Sequence, residues 1–300
     1  MKKALGNLKD MAEAISKAYP DYWPLTLNQV YYYLLKMGKI GDGGIDWLGY
    51  QAVSTSTCDD KIDPRVLINH SPGPESPFLE FRSQEDRKVT YRRQVVARAC
   101  AIPAFEIWKE QKNHVELWVN DAELTEFLRI HMDQEIPVPV YDTQLLFDPG
   151  PFIEMRARLD YMRKVERKSI IVLYLSDFDL DGFETHTALK TPLEGEVDAM
   201  VRIGMNHEHT AGLPRKPALF YDTDRLKDER QFEKQLGCKG SYSVHALEPS
   251  VLLDMVSRAV SAYYDREKYP HDTVARWRKA QGTLKQSLEG VLDELLELAA

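Results

Sequence analysis

Hydrophobic and polar positions follow two patterns along the chain. In the first part they recur at helical intervals: Leu8, Met11, Ile15 and Ala18 share one face of a helix over residues 5–18 that Tyr19-Pro20 ends. Thr26 then stands as an N-cap before Leu27, Val30, Tyr31, Leu34 and Leu35, spaced by three and four, and Gly38 supplies the stop. Two short helices joined by a Pro-containing turn are a normal opening for a helix-turn-helix or winged-helix module. Residues 39–80 hold Gly41, Gly43, Gly44, Gly49, Pro64, Pro72, Pro74 and Pro77 and read as loops, with a short strand near Val66-Leu67-Ile68.

After Ile102-Pro103 strands alternate with helices, which favours a parallel sheet. Strands are expected over 115–119, 138–141, 169–175, 199–203 and 242–244, and helices near 122–132, 151–167 and 225–235. Residues 251–262 and 274–298 read as amphipathic helices, the second with Leu284, Leu288, Leu292 and Leu295 on one stripe suited to packing or a dimer contact. The expected class is α/β, with an N-terminal domain over 1–110 that opens as a helix-turn-helix or winged-helix module and a parallel-sheet domain over 111–300 that ends in helices.

The clearest chemical signal follows the apolar run Ile170-Ile171-Val172-Leu173-Tyr174-Leu175, which has the character of a strand buried on both faces. In open α/β sheets ligands bind just beyond the carboxyl ends of such strands. There the chain reads Ser176-Asp177-Phe178-Asp179-Leu180-Asp181-Gly182. In an extended conformation Asp177, Asp179 and Asp181 project to one side, and three clustered carboxylates repel unless a divalent cation neutralises them. Oxygen-only ligands point to Mg²⁺ rather than zinc. A calcium loop also begins Asp-x-Asp-x-Asp-Gly, but it wants a Glu six residues after the Gly, where this chain has Ala188.

Charge changes the picture once it is divided along the chain. The formal net charge of -8 argues against a nucleic-acid partner, yet the first 110 residues carry 15 basic and 14 acidic side chains and the rest carry 24 and 33. Arg82, Arg87, Lys88, Arg92, Arg93 and Arg98 stand against only Glu85 and Asp86, enough for a phosphate-facing stripe on a near-neutral domain. A solvated helix face is the plainer reading of the same charges. Cys58, Cys100 and Cys238 are widely spaced and form no Cys-x-x-Cys pair, which suggests neither a disulfide framework nor a structural zinc site. No window approaches the roughly 18 apolar residues of a spanning helix, and the start lacks the apolar core of a secretory signal, so no membrane partner and a cytoplasmic location are expected. His207-Glu208-His209 lacks a third ligand at helical spacing and reads as surface or capping histidines, and with no phosphate loop no ATP site is expected.

Residues Leu25 to Leu34 contain three consecutive tyrosines. Successive helix residues lie about 100 degrees apart, so Tyr31, in phase with Leu27 and Leu34, reads as the core member and Tyr32 faces another side. By spacing alone an outward Tyr32 is a surface aromatic, because a phenol with a pKa of about 10 is a poor nucleophile without a nearby cation or base. Taken with Asp177 to Gly182, however, this segment resembles the topoisomerase VI A-subunit family, which includes the meiotic double-strand-break transesterase and the small Mini-A proteins of mobile elements. Arg202-Ile203-Gly204, Gly212-Leu213-Pro214 and Val244-His245-Ala246-Leu247-Glu248-Pro249 are similar to lesser landmarks of its phage-type members.

The resemblance implies a winged-helix domain followed by a Toprim domain, and a type of DNA cleavage. Tyr32 attacks a backbone phosphate to leave a 5′-phosphotyrosyl link, Mg²⁺ sits on Asp177, Asp179, Asp181 and Asn120, and the stripe from Arg82 to Arg98 holds duplex DNA. It further implies a homodimer in which one subunit's tyrosine meets the other's metal, a GHKL-type ATPase B subunit as a possible partner, and a nucleoid-associated location. Two positions depart from the pattern. Asn28 stands where the family places an arginine four residues before the nucleophile, and Asn120 stands where the first Toprim strand ends in a glutamate. An amide oxygen can ligate Mg²⁺ but brings no charge and cannot act as a base. Glu116 lies about 13 Å back along the same strand face, too far to substitute, whereas Asp121 or Glu123 could swing in. These departures motivate a second expectation, a DNA-binding protein that has lost cleavage; a hydrolytic nuclease, with water in place of the tyrosine, is a third.

Overall fold

The computed structural model describes residues 17–39, 107–132, 136–216, 230, 232–234 and 240–298. Helix α1 spans Leu27–Lys36 and starts where the sequence places its cap: Thr26 accepts from the Gln29 backbone N–H, and the Gln29 side chain accepts in return from the Thr26 N–H. Gly38, at φ 64°, ends it in the left-handed region that glycine adopts without strain.

The remaining elements alternate. Strand β1 covers Asn113–Val119, helix α2 Ala122–His131, strand β2 Val140–Asp142, helix α3 Pro149–Lys164 and strand β3 Ser169–Leu175. Helix α4 covers Leu180–Lys190 and strand β4 Ala199–Gly204, and two C-terminal helices follow, α5 over Pro249–Ser261 and α6 over His271–Leu298. The strands form one parallel sheet in the order β2-β1-β3-β4. The structure is therefore mixed α/β around a four-stranded parallel sheet.

Alternation along the two central strands splits the core. Val115, Leu117, Val119, Ile171, Leu173 and Leu175 face one cluster together with Val30, Tyr31, Tyr32 and Leu34 of α1 and Leu252, Val256 and Val260 of α5. Trp118, Ile170, Val172 and Tyr174 face the other with Met155 and Leu159 of α3. Both central strands are buried on both faces, which the apolar run of β3 predicts, while β1 also buries His114 and Glu116. The N-terminal helix thus shares one hydrophobic cluster with the sheet.

Two expectations are revised. Residues 242–244 do not form a strand: Tyr242 makes an isolated antiparallel bridge to Phe178, and Ser243 then turns the chain into a 3₁₀ turn over Val244–Ala246 by accepting from the His245 N–H. Helix α4 was not among the helices expected, because Leu180 and Phe183 share a face but Leu189 falls on the opposite one; it starts from Asp179, whose side chain caps it. On the C-terminal helix α6, Leu284 is 40% exposed and Val291 53% exposed. The expected helix over 5–18, the strand near 66–68, most of the helix over 225–235, all three cysteines and the whole stripe from Arg82 to Arg98 lie outside the described residues. No helix among the described residues is long and apolar enough to cross a membrane.

Candidate active site

Because β1 and β3 run in register, Val119 opposite Leu175, Asn120 and Ser176 leave the sheet side by side, with the Asn120 N–H donating to the Leu175 carbonyl at 3.1 Å. Beyond that edge the acid motif changes conformation. Asp177 stands at the exit of β3, whereas Asp179, 2% exposed, is the N-cap of α4 and accepts from the Gly182 N–H at 2.8 Å through Oδ1. Position 182 needs glycine, because a Cβ there would meet the Asp177 carbonyl and, at 2.7 Å, Ser176 Oγ. Asp181 falls in the first helical turn instead of continuing an extended alternation. Among the described residues no three His, Cys, Asp or Glu side chains converge as metal ligands.

Two of the three acids are brought together by a residue the sequence gave no reason to single out. Lys216 Nζ donates to Asp177 Oδ2 and to Asp179 Oδ2, both at 2.7 Å. Burial alone would depress the lysine's pKa, but the two carboxylates outweigh it and push the value far up, so the ammonium stays charged. Asp177 is also held from its other side, by the Val244 N–H at 2.8 Å and the Ser243 hydroxyl at 3.2 Å, both to Oδ1. Arg202 donates to the Asp177 carbonyl at 2.7 Å and stacks over Phe183 at 4.1 Å, with its pKa lowered to about 10 chiefly by burial. The chemistry of this donor set fits a hard cation: two carboxylate oxygens aim at one point, and Mg²⁺ commonly binds through one or two carboxylates plus water and phosphate.

Tyr32 lies beside this pair, which corrects the reading of it as a surface aromatic. It is 7% exposed, and its ring packs edge-on against Tyr31 at 5.2 Å. Asp177, Lys216 and Ser243 are polar groups that act on its phenol. Burial raises the phenol's pKa, and the negative charge of Asp177 raises it further against the opposing pull of Lys216 and Ser243. At neutral pH Tyr32 is therefore protonated.

Helix α1 is fastened at both ends to the segment that grips Asp177. At its N-terminus Thr26 Oγ1 meets His245 Nδ1 at 2.8 Å, and at its C-terminus Lys36 pairs with Glu248. His245 is buried, and its other ring nitrogen approaches Asp121 Oδ2 at 3.3 Å. Burial alone would depress the imidazole, but Asp121 prevails and raises its pKa above the ordinary value. Asp121, the N-cap of α2, accepts from the Leu124 N–H at 2.7 Å, so its carboxylate is committed to a helix cap and to His245.

The remaining sequence-selected residues fall elsewhere. Asn120 Oδ1 accepts from Thr143 Oγ1 at 3.2 Å and does not share the Lys216 contact. Glu116 is fully buried in the second cluster, where it binds His114, Trp118 and Arg158. His209 Nδ1 accepts from the Asn206 N–H at 3.0 Å, a capping role as expected. Lys216 and Ser243 were missed because nothing in local spacing connects them to Asp177, 39 and 66 residues earlier. Ser243 lay within the expected strand over 242–244 and beside the landmark beginning at Val244, neither of which pointed to Asp177. No protein-family model matches the chain, and no curated protein or solved structure matches it either.

Proposed function

We propose that the protein is a DNA-cleaving transesterase of the topoisomerase VI A type, with a winged-helix and Toprim organisation, acting on duplex DNA as a homodimer. One observation carries this reading: the buried Tyr32 phenol lies close enough to Asp177, one of two carboxylates that share a cation, for that charge to act on it. The resemblance of the tyrosine and acid motifs supports it independently, and the basic residues from Arg82 to Arg98 are its source of phosphate contacts.

In the reaction the Tyr32 oxygen bonds to phosphorus as the bond to the 3′-oxygen breaks, leaving a 5′-phosphotyrosyl link and, after protonation by water, a free 3′-hydroxyl. The phenolic proton passes to a water molecule. Mg²⁺, when held by Asp177 and Asp179, supplies positive charge against the phosphate oxygens. Two copies serve the two strands, nucleoid association follows from the DNA substrate, and a GHKL-type ATPase subunit is a possible partner.

Wild-type protein mixed with supercoiled DNA and Mg²⁺ and quenched with detergent is expected to be trapped on 5′ ends. Tyr32→Phe should abolish trapping and leave DNA binding intact; trapping that survives the substitution excludes this nucleophile. Co-expressing Tyr32→Phe with Asp177→Asn copies locates the site's parts. Tyrosine and acids working within one chain leave the mixture inactive, while a partner-supplied tyrosine restores single-strand adducts.

A second reading, a DNA-binding protein without cleavage, is favoured by the commitment of Asn120 to Thr143, by Asn28, and by the raised phenol pKa. It calls for DNA binding with no adduct at any Mg²⁺ concentration.

A further inference from the structure

We infer that Lys216 and a divalent cation occupy the Asp177–Asp179 pair in turn, so that Lys216 limits metal binding at that pair. The inference rests on the reading of this pair as the cation site.

The oxygens of the two carboxylates are divided between structure and cation. Asp177 Oδ1 serves the Val244 N–H and Ser243, and Asp179 Oδ1 serves the Gly182 N–H that starts α4. Only the two Oδ2 atoms face a common point, and Lys216 Nζ sits there, 2.7 Å from each. Two cations at one point repel. An incoming divalent ion therefore gains the Oδ2 pair only as the ammonium gives it up, and its apparent affinity is lowered by the fraction of molecules in which Lys216 has stepped aside.

Lys216 is also placed by the backbone. Its N–H donates to the Ser241 carbonyl at 2.7 Å, two residues from the Ser243 that holds Asp177. The stem is thus anchored while the ammonium turns on four flexible carbons. A lysine is suited to that exchange, being a compact point charge on a rotatable stem, whereas arginine binds carboxylates through a rigid fork.

The test is calorimetric titration of the DNA-free protein with Mn²⁺ and with Mg²⁺. Lys216→Met keeps the stem and removes the charge, and it should bind either ion at least tenfold more tightly than wild type, while Lys216→Arg should bind no more tightly. Equal or weaker binding by Lys216→Met overturns the inference. The folded state of each variant is checked by thermal unfolding with and without Mn²⁺, and the ion should raise the melting temperature of Lys216→Met more than that of wild type. Because neither measurement uses DNA, its outcome is separate from covalent trapping. If wild type forms no adduct but Lys216→Met binds metal more tightly, the proposed cleavage fails and the exchange stands.

Discussion

Two carboxylate clusters are built from the same pair of central strands and end in opposite conditions. Glu116, on β1, is fully buried and takes hydrogen bonds from His114 at 2.9 Å, Trp118 at 2.9 Å, and two nitrogens of Arg158 at 2.8 and 3.1 Å. Every one of these partners is a fixed neighbour on the sheet or on α3. The Asp177–Asp179 cluster, at the carboxyl edge, leaves the Asp177 and Lys216 side chains each 26% exposed, and one ammonium on a flexible stem balances both acids. The closed cluster has no coordination to offer a ligand, because its charge is already met within the fold. The open one aims two oxygens at a single ammonium that is itself partly exposed.

The closed cluster breaks most severely. Glu116→Gln deletes the charge that Arg158 answers and is expected to destabilise the protein by about 3 kcal/mol or more in denaturant unfolding, while Mn²⁺ binding at the acidic pair stays at its wild-type level. Acid should reach the same cluster by another route. Burial alone would raise the Glu116 pKa, but His114 and Arg158 hold it down at about 2, below its ordinary 4.5. Because the folded value lies under the unfolded one, the stability it lends is fully present above pH 4.5 and is lost as the pH falls towards 2. A wild-type unfolding series between these limits should slope downward with acid, and in Glu116→Gln that slope should flatten. The smallest effect belongs to the clamp that positions Tyr32. Thr26→Ala removes the cap of α1 and its contact with His245, and is expected to cost about 1 kcal/mol of stability. Its larger consequence should be in trapping yield, which falls if the position of α1 matters to the site.

The strands and the α1 cap were legible because each depends on neighbours in sequence. The run from Ile170 to Leu175 is apolar enough for both faces of a sheet, and Thr26 with Gln29 completes a reciprocal cap within four residues. The acid motif was half legible. Its alternation marked Asp177 and Asp179 as partners, but one residue later the chain becomes helical, a change that turns Asp181 along α4. Tyr32 was identified by motif and misjudged by periodicity, because the face opposite the Leu27–Leu34 stripe also packs, against residues contributed from 243 onward. Lys216, Ser243 and His245 belong to loops and turns far along the chain, and only closure of the fold brings them to Asp177 and α1.

Asp179 serves two employers with one side chain. One oxygen moors the first turn of α4, the other forms a wall of the charged pocket, and the atoms between them are rigid. A disturbance of the pocket is consequently a tug on a helix, and a shift of that helix retunes the pocket. Asparagine at this position would preserve the mooring while erasing the charge; alanine would sever both at once. The site and the scaffold beneath it are, at this residue, the same object.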